Sequence, residues 1–312
     1  MENPFFSSRH PIMQLLALVL IAVISTLAIG VFSLIAGSII FRLQPNEWMG
    51  LLDMNNPANL PVLKFMQITQ SLSMFVIPPM VFGWFMMRKP LEYLTLNKNP
   101  DDRLMISVLV LAVAILPVIN LLGLWNESMK LPGFLTGIEN WMKKTEDQAA
   151  VLTTAFLTVN SFPGYLVNVL MIVLIPAIGE EFFFRGALQK IFLRWFRNPH
   201  VAIFFVAILF SAFHFQFYGF LPRVVLGLIF GYLFYWSGNI WYPIAAHAIN
   251  NFIPVSLTYF FRDKFDPAEL DQVGTGSGSW LWAIPAILLS IAVITYFYRT
   301  SKSQLTNNSI ES

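Results

Sequence analysis

Gly179-Glu180-Glu181-Phe182-Phe183-Phe184-Arg185-Gly186 puts two adjacent carboxylates and a guanidinium inside an apolar run that begins near Tyr165. At membrane depth each such charge costs roughly 2.5–3.5 kcal/mol on insertion scales. A segment that only had to cross a bilayer would carry Leu there. The stretch therefore reads as a functional site built into a membrane helix.

Composition supports the membrane premise. Of 312 residues, 56% are hydrophobic and 12% charged, with a mean hydropathy of +0.65. A soluble domain carries about 25% charged residues. The net charge of +2 comes with no basic stripe, which argues against nucleic acid as a partner. The chain has no cysteine, so disulfides, thiolate metal sites and a Cys nucleophile are excluded. The first apolar run is too long for a signal-peptide core and reads as a transmembrane helix.

Apolar runs of spanning length cover about 12–41, 60–87, 104–125, 165–192, 200–217, 220–237, 240–260 and 280–298. A crossing needs about 20 apolar residues. The expectation is an all-α, polytopic membrane protein, a bundle of about eight transmembrane helices. Prolines within these runs, Pro176 and Pro254 among them, are read as kinks. The chain divides into transmembrane helices 1–3 (1–125), an extracytoplasmic loop (126–164), a core of helices 4–7 (165–260), and a loop, last helix and polar tail (261–312).

Within the 126–164 loop, Phe134, Leu135, Ile138, Trp141 and Met142 recur at helical spacing, with Lys143, Lys144, Glu146 and Asp147 beyond them. That pattern predicts an amphipathic helix lying on the outer leaflet, with a lid over the site as the other reading. Gly274-Thr275-Gly276-Ser277-Gly278-Ser279 reads as a flexible linker. The last dozen residues are polar and read as unstructured. With the N-terminus inside, Lys and Arg divide ten to eight in favour of the cytoplasm, Arg185 aside. Both termini are thus placed in the cytoplasm of a multi-pass protein. The short polar tails read as those of a prokaryotic inner (plasma) membrane protein.

The remaining chemistry sits in three later positions. His214 ends Phe210-Ser211-Ala212-Phe213-His214, and His247 opens His247-Ala248-Ile249-Asn250-Asn251. The other two histidines, His10 and His200, lie at helix ends. If a hairpin turns near Arg197, Glu180 lies 17 residues before it and His214 lies 17 after it, so both reach one depth. Glu181 and Arg185 are four apart, as are His247 and Asn251, so each pair shares a helix face. Glu180 and Glu181 diverge by roughly 100°. One carboxylate can face a cavity while Arg185 neutralises the other.

A desolvated carboxylate suits a general base, and an imidazole beside it can hold a water. A second histidine with an amide one turn on can donate to an oxyanion. Glu180, His214 and His247 also form a possible zinc set. Asn251 is a poor zinc ligand and a good hydrogen-bond donor, which favours water activation without metal. Intramembrane Glu and His also mark proton or ion pathways.

Glu180-Glu181-x-x-x-Arg185, Phe210-x-x-x-His214 and His247-x-x-x-Asn251, in that order within apolar helices, resemble the three motifs of the CAAX-protease and bacteriocin-processing (CPBP or ABI) family, which includes the type II CAAX prenyl endopeptidases. The resemblance covers about residues 160–260. It implies an intramembrane endopeptidase that hydrolyses a peptide bond of a membrane-associated protein or peptide. It implies Glu180 and His214 as the residues that activate water, His247 and Asn251 as the oxyanion donors, and Glu181 and Arg185 as supporting residues. Zinc and a metal-independent glutamate mechanism both stay open. The family also includes non-proteolytic scaffolds and bacteriocin-immunity proteins, which stand as the alternative.

Overall fold

The computed structural model describes residues 4–44, 46–52, 56–262 and 280–310. Most of these residues are helical, with no strand among them. The principal helices are α1 (Pro11–Phe41), α2 (Leu60–Met87), α3 (Asp102–Ser128), α4 (Thr136–Leu157), α5 (Phe162–Phe196), α6 (Pro199–Ala212), α7 (Phe220–Ser237), α8 (Trp241–Phe260) and α9 (Trp280–Ile310).

Among the described residues six helices are long and apolar enough to cross a membrane: α1, α2, α3, α5, α7 and, over Ala283–Gln304, α9. Their outer faces are apolar. Leu20, Leu27, Val31 and Ile39 of α1 are all exposed, a pattern that water would penalise and lipid does not. The protein is an integral membrane protein. Of the eight crossings expected, α6 has only 14 residues, and α8 carries His247, Asn250 and Asn251 along its length. The polar site is built from α5, α8 and the residues that follow α6.

Local sequence explains the hairpin that sets the site. Pro199 opens α6 and Asn198 caps it, accepting from the backbone N–H groups of His200 and Val201 at 3.0 and 3.3 Å. The turn from α5 into α6 falls at Arg197, where counting placed it. Residues near both ends of the described chain lie at one end of the bundle. Arg194 reaches the carbonyl of Ser7 at 2.7 Å, and Gln304 reaches Asp101 at 3.1 Å at the start of α3.

α6 and α7 touch closely because Gly227 faces Ala207. A Cβ added there would lie 3.0 Å from the Ala207 Cα. Small residues at such crossings let membrane helices approach without a hydrophobic driving force. On the inner side of α5, Phe182, Phe183, Phe184, Ile191 and Phe192 join Leu18, Phe82 and Leu94 in the main apolar core.

The amphipathic segment is a 22-residue helix, α4, and Phe134, Ile138 and Trp141 are exposed as an interfacial face requires. Its apolar side also touches the bundle, where Trp141 packs on Phe217 with ring centroids 5.3 Å apart. The polar tail differs from expectation: α9 continues to Ile310. Its helical hydrogen bonds extend beyond the apolar span, so polarity alone did not end the helix. The Gly274–Ser279 linker lies outside the described residues.

Candidate active site

α5 is not a uniform α-helix. It passes through π-helical turns at Val169–Leu174 and again at Phe182–Gln189, directly after the two glutamates. Such turns are rare and concentrate at functional sites. Pro176 contributes no N–H between them. The carbonyl of Ile172, four residues before it, accepts from Asn251 Nδ2 of α8 at 3.0 Å. The proline read as a kink thus coincides with the tie between α5 and α8.

The two carboxylates separate as their spacing requires. Glu181 is fully buried, and Arg185 Nη1 donates to its Oε1 at 2.9 Å. Arg185 is also fully buried. Its Nη2 donates to the Gly227 carbonyl at 3.0 Å, and its guanidinium stacks 4.6 Å from the Phe210 ring and 5.3 Å from Phe230. One turn on, Gln189 Nε2 donates to the Gly231 carbonyl at 3.0 Å. The Gly227 and Gly231 pair on α7 exposes those carbonyls because no side chain covers them.

Glu180 takes the other direction. Its Oε2 lies 3.7 Å from His214 Nε2 and 4.0 Å from His247 Nε2. The same oxygen is buried and has no hydrogen-bond partner among the described residues. A buried acceptor left in that state costs about 1–3 kcal/mol. His214 is the more open of the two histidines, with its side chain 29% exposed against 5% for His247. The site therefore opens towards the residues that follow α6.

Both imidazoles are oriented by acceptors. His214 Nδ1 donates to the Phe210 carbonyl at 2.9 Å, one turn back. His247 Nδ1 donates to Glu181 Oε1 at 2.9 Å. Carbonyl and carboxylate oxygens cannot donate, so each Nδ1 carries a proton and each Nε2 points to Glu180. Phe210 packs edge-on against both rings at 5.2 and 5.8 Å, and Phe230 stacks on His247 at 5.3 Å. Glu180, Glu181, Arg185, His214 and His247 thus converge. Asn251 stands one turn beyond His247 and is held by Ile172.

Glu180, His214 and His247 carry donor types that zinc accepts. Among the described residues, however, no group of three or more His, Cys, Asp or Glu side chains has the arrangement of a metal site. The arrangement does not fit a three-ligand metal site.

Sequence reading missed Phe210 and Phe230 as walls and Gly227 and Gly231 as acceptors. The spacing Gly227-x-x-x-Gly231 was the available signal.

Residues 162–253 match the family model described as Type II CAAX prenyl endopeptidase Rce1-like. This segment is similar to an Rce1-like core. All of the converging residues, and Asn251, lie within it. The chain is also similar to the uncharacterized protein YpbD of Bacillus subtilis (strain 168), with 26% identity over 106 residues, or 32% of this chain and 51% of that protein. The match thus spans about half the length of that curated relative. No solved structure matches the chain significantly. The matched segment thus resembles a peptidase family and lies inside an integral membrane protein.

Proposed function

We propose that this chain is an intramembrane endopeptidase that hydrolyses a peptide bond of a membrane-associated protein or peptide. The observation that carries the reading is the Glu180 Oε2 atom, buried and unbonded, with two oriented imidazole Nε2 atoms at 3.7 and 4.0 Å. Those separations exceed a direct hydrogen bond and suit a reactant water that touches all three groups.

In the proposed reaction, Glu180 accepts a proton from that water while His214 Nε2 holds it by a second hydrogen bond. The water oxygen bonds to the scissile carbonyl carbon, and negative charge collects on the carbonyl oxygen. Asn251 uses the amide proton not given to Ile172 to stabilise that charge, and His247 donates from Nε2 when doubly protonated beside Glu181. The proton on Glu180 then passes to the leaving nitrogen as the C–N bond breaks. Arg185 acts through Glu181, holding the carboxylate that orients His247.

Both termini are assigned to the cytoplasm of a prokaryotic inner membrane. The site then opens on the extracytoplasmic side of the bundle, since α6 runs away from the terminal end and finishes beside His214. The test is cleavage of a library of membrane-anchored peptides by wild type and by Glu180→Ala. Loss of the base should slow cleavage by about 10²–10⁴-fold; equal rates would defeat the reading.

A further inference from the structure

His214 does not sit inside a helix. α6 ends at Ala212, and His214 is the second residue of the connection over residues 213–219 that leads to α7. A side chain on a connection is less fixed than one on a helix. Its place must be set by whatever ties the connection down.

The principal tie comes from outside the Rce1-like segment. Asn126, near the end of α3, is buried at 8% exposure. Its Nδ2 donates to the Phe217 carbonyl at 3.0 Å, and its Oδ1 accepts from the Leu221 N–H at 2.7 Å. One side chain therefore bridges the connection and the first turn of α7. Secondary ties are local. Ser211 Oγ donates to the Phe220 carbonyl at 2.8 Å, and Arg223 reaches the carbonyl and side chain of Gln216. Glu146 of α4 accepts from the Tyr218 N–H at 3.3 Å. Against these ties Phe215, next to His214, holds a left-handed backbone with φ 51°, a conformation that costs a bulky residue about 1–3 kcal/mol. Such a turn persists only where its surroundings enforce it.

We infer that Asn126 is a positioning residue for His214. It satisfies both limbs of a strained connection at once. Removing it leaves the Phe217 carbonyl and the Leu221 N–H without their partner and frees the turn to relax. His214 Nε2 then drifts from Glu180, while His247, held by Glu181 and Phe230 on other helices, stays in place.

The test uses the full chain in detergent, labelled with ¹⁵N on its four histidines and assigned by single His→Gln substitutions. In Asn126→Ala the His214 ring signals should shift, and the hydrogen-bonded Nδ1 proton should exchange faster, while the His247 signals stay. Unchanged His214 signals in a folded Asn126→Ala protein would overturn the inference. If that variant does not accumulate, Asn126→Ser, too short to bridge both limbs, is read for the same two outcomes. The kinetic arm rests on the peptidase reading. There Asn126→Ala should lower kcat by about 10–100-fold with KM nearly unchanged, and should add nothing in a His214→Ala background. An equal loss in both backgrounds would overturn the inference. A wild-type protein with no cleavage activity defeats the peptidase reading and leaves the spectroscopic arm to decide this one.

Discussion

His247 Nδ1 donates to Glu181 Oε1 across 2.9 Å, and Arg185 Nη1 donates to that same oxygen at 2.9 Å. One carboxylate oxygen thus joins a guanidinium of α5 to an imidazole of α8. Glu181 is engaged on the closed side of the site, and Glu180 faces the open side. Adjacent residues of one type acquire two roles because a helix turns them apart.

This division predicts opposite outcomes for two substitutions. Arg185→Ala leaves Glu181 as a buried charge with only His247 beside it, and should cost about 3–5 kcal/mol. The variant should melt lower or fail to accumulate. Glu180→Gln removes a charge whose buried Oε2 has no hydrogen-bond partner among the described residues, so its melting temperature should match or exceed that of wild type. Thermal unfolding in detergent checks both, and a reversed order would mean that Glu180 is the structural carboxylate.

Gly227→Ala should be more damaging than Gly186→Ala. The new Cβ at position 227 meets the Ala207 backbone at 3.0 Å, whereas at position 186 it meets Leu94 Cδ2 at 2.5 Å. A side-chain tip can rotate away, but a helix backbone moves only by separating α6 from α7. Overpacking of this kind costs about 1–3 kcal/mol. Parallel melting curves of the two variants give the ranking directly.

Phe215→Gly should raise stability by about 0.5–1 kcal/mol. Phe215 is exposed, so little packing is lost, and glycine removes a left-handed penalty of about 1–2 kcal/mol at an entropic cost of roughly half that. A small upward shift in melting temperature is expected. A fall would show that the Phe215 ring contributes more as a contact than its backbone costs.

Much of this was legible in the sequence. Apolar run lengths gave the helical membrane class, and equal spacing about Arg197 gave the meeting of Glu180 and His214. The four-residue spacing of Glu181 and Arg185 gave their pairing. Other features depend on tertiary contact and left no periodic trace. The π turns of α5 keep the composition of an ordinary helix, so nothing marks them in the residues themselves. Asn126 lies 88 positions before His214, and a single Asn near a helix end reads as a cap. The length of α6 was overestimated because Phe213, Phe215 and Phe217 extend the apolar run past the point where its backbone turns.

Metal dependence follows from the same geometry. Asn251 is a poor zinc ligand, and among the described residues no group of three or more His, Cys, Asp or Glu side chains has the arrangement of a metal site. Cleavage should survive exhaustive chelation within about twofold, a change too small to signal loss of a metal worth several kcal/mol. Stoichiometric zinc whose removal abolishes activity and whose return restores it would recast His214 and His247 as ligands.

The most direct measurement is the cleavage rate of one membrane-anchored peptide substrate, found by library screening, by wild type, Glu180→Gln and His214→Ala at matched amounts of folded protein. Glu180→Gln should fall by about 10²–10⁴-fold, and His214→Ala should fall with it, since both groups act on one water. Undiminished cleavage by folded Glu180→Gln would contradict the account.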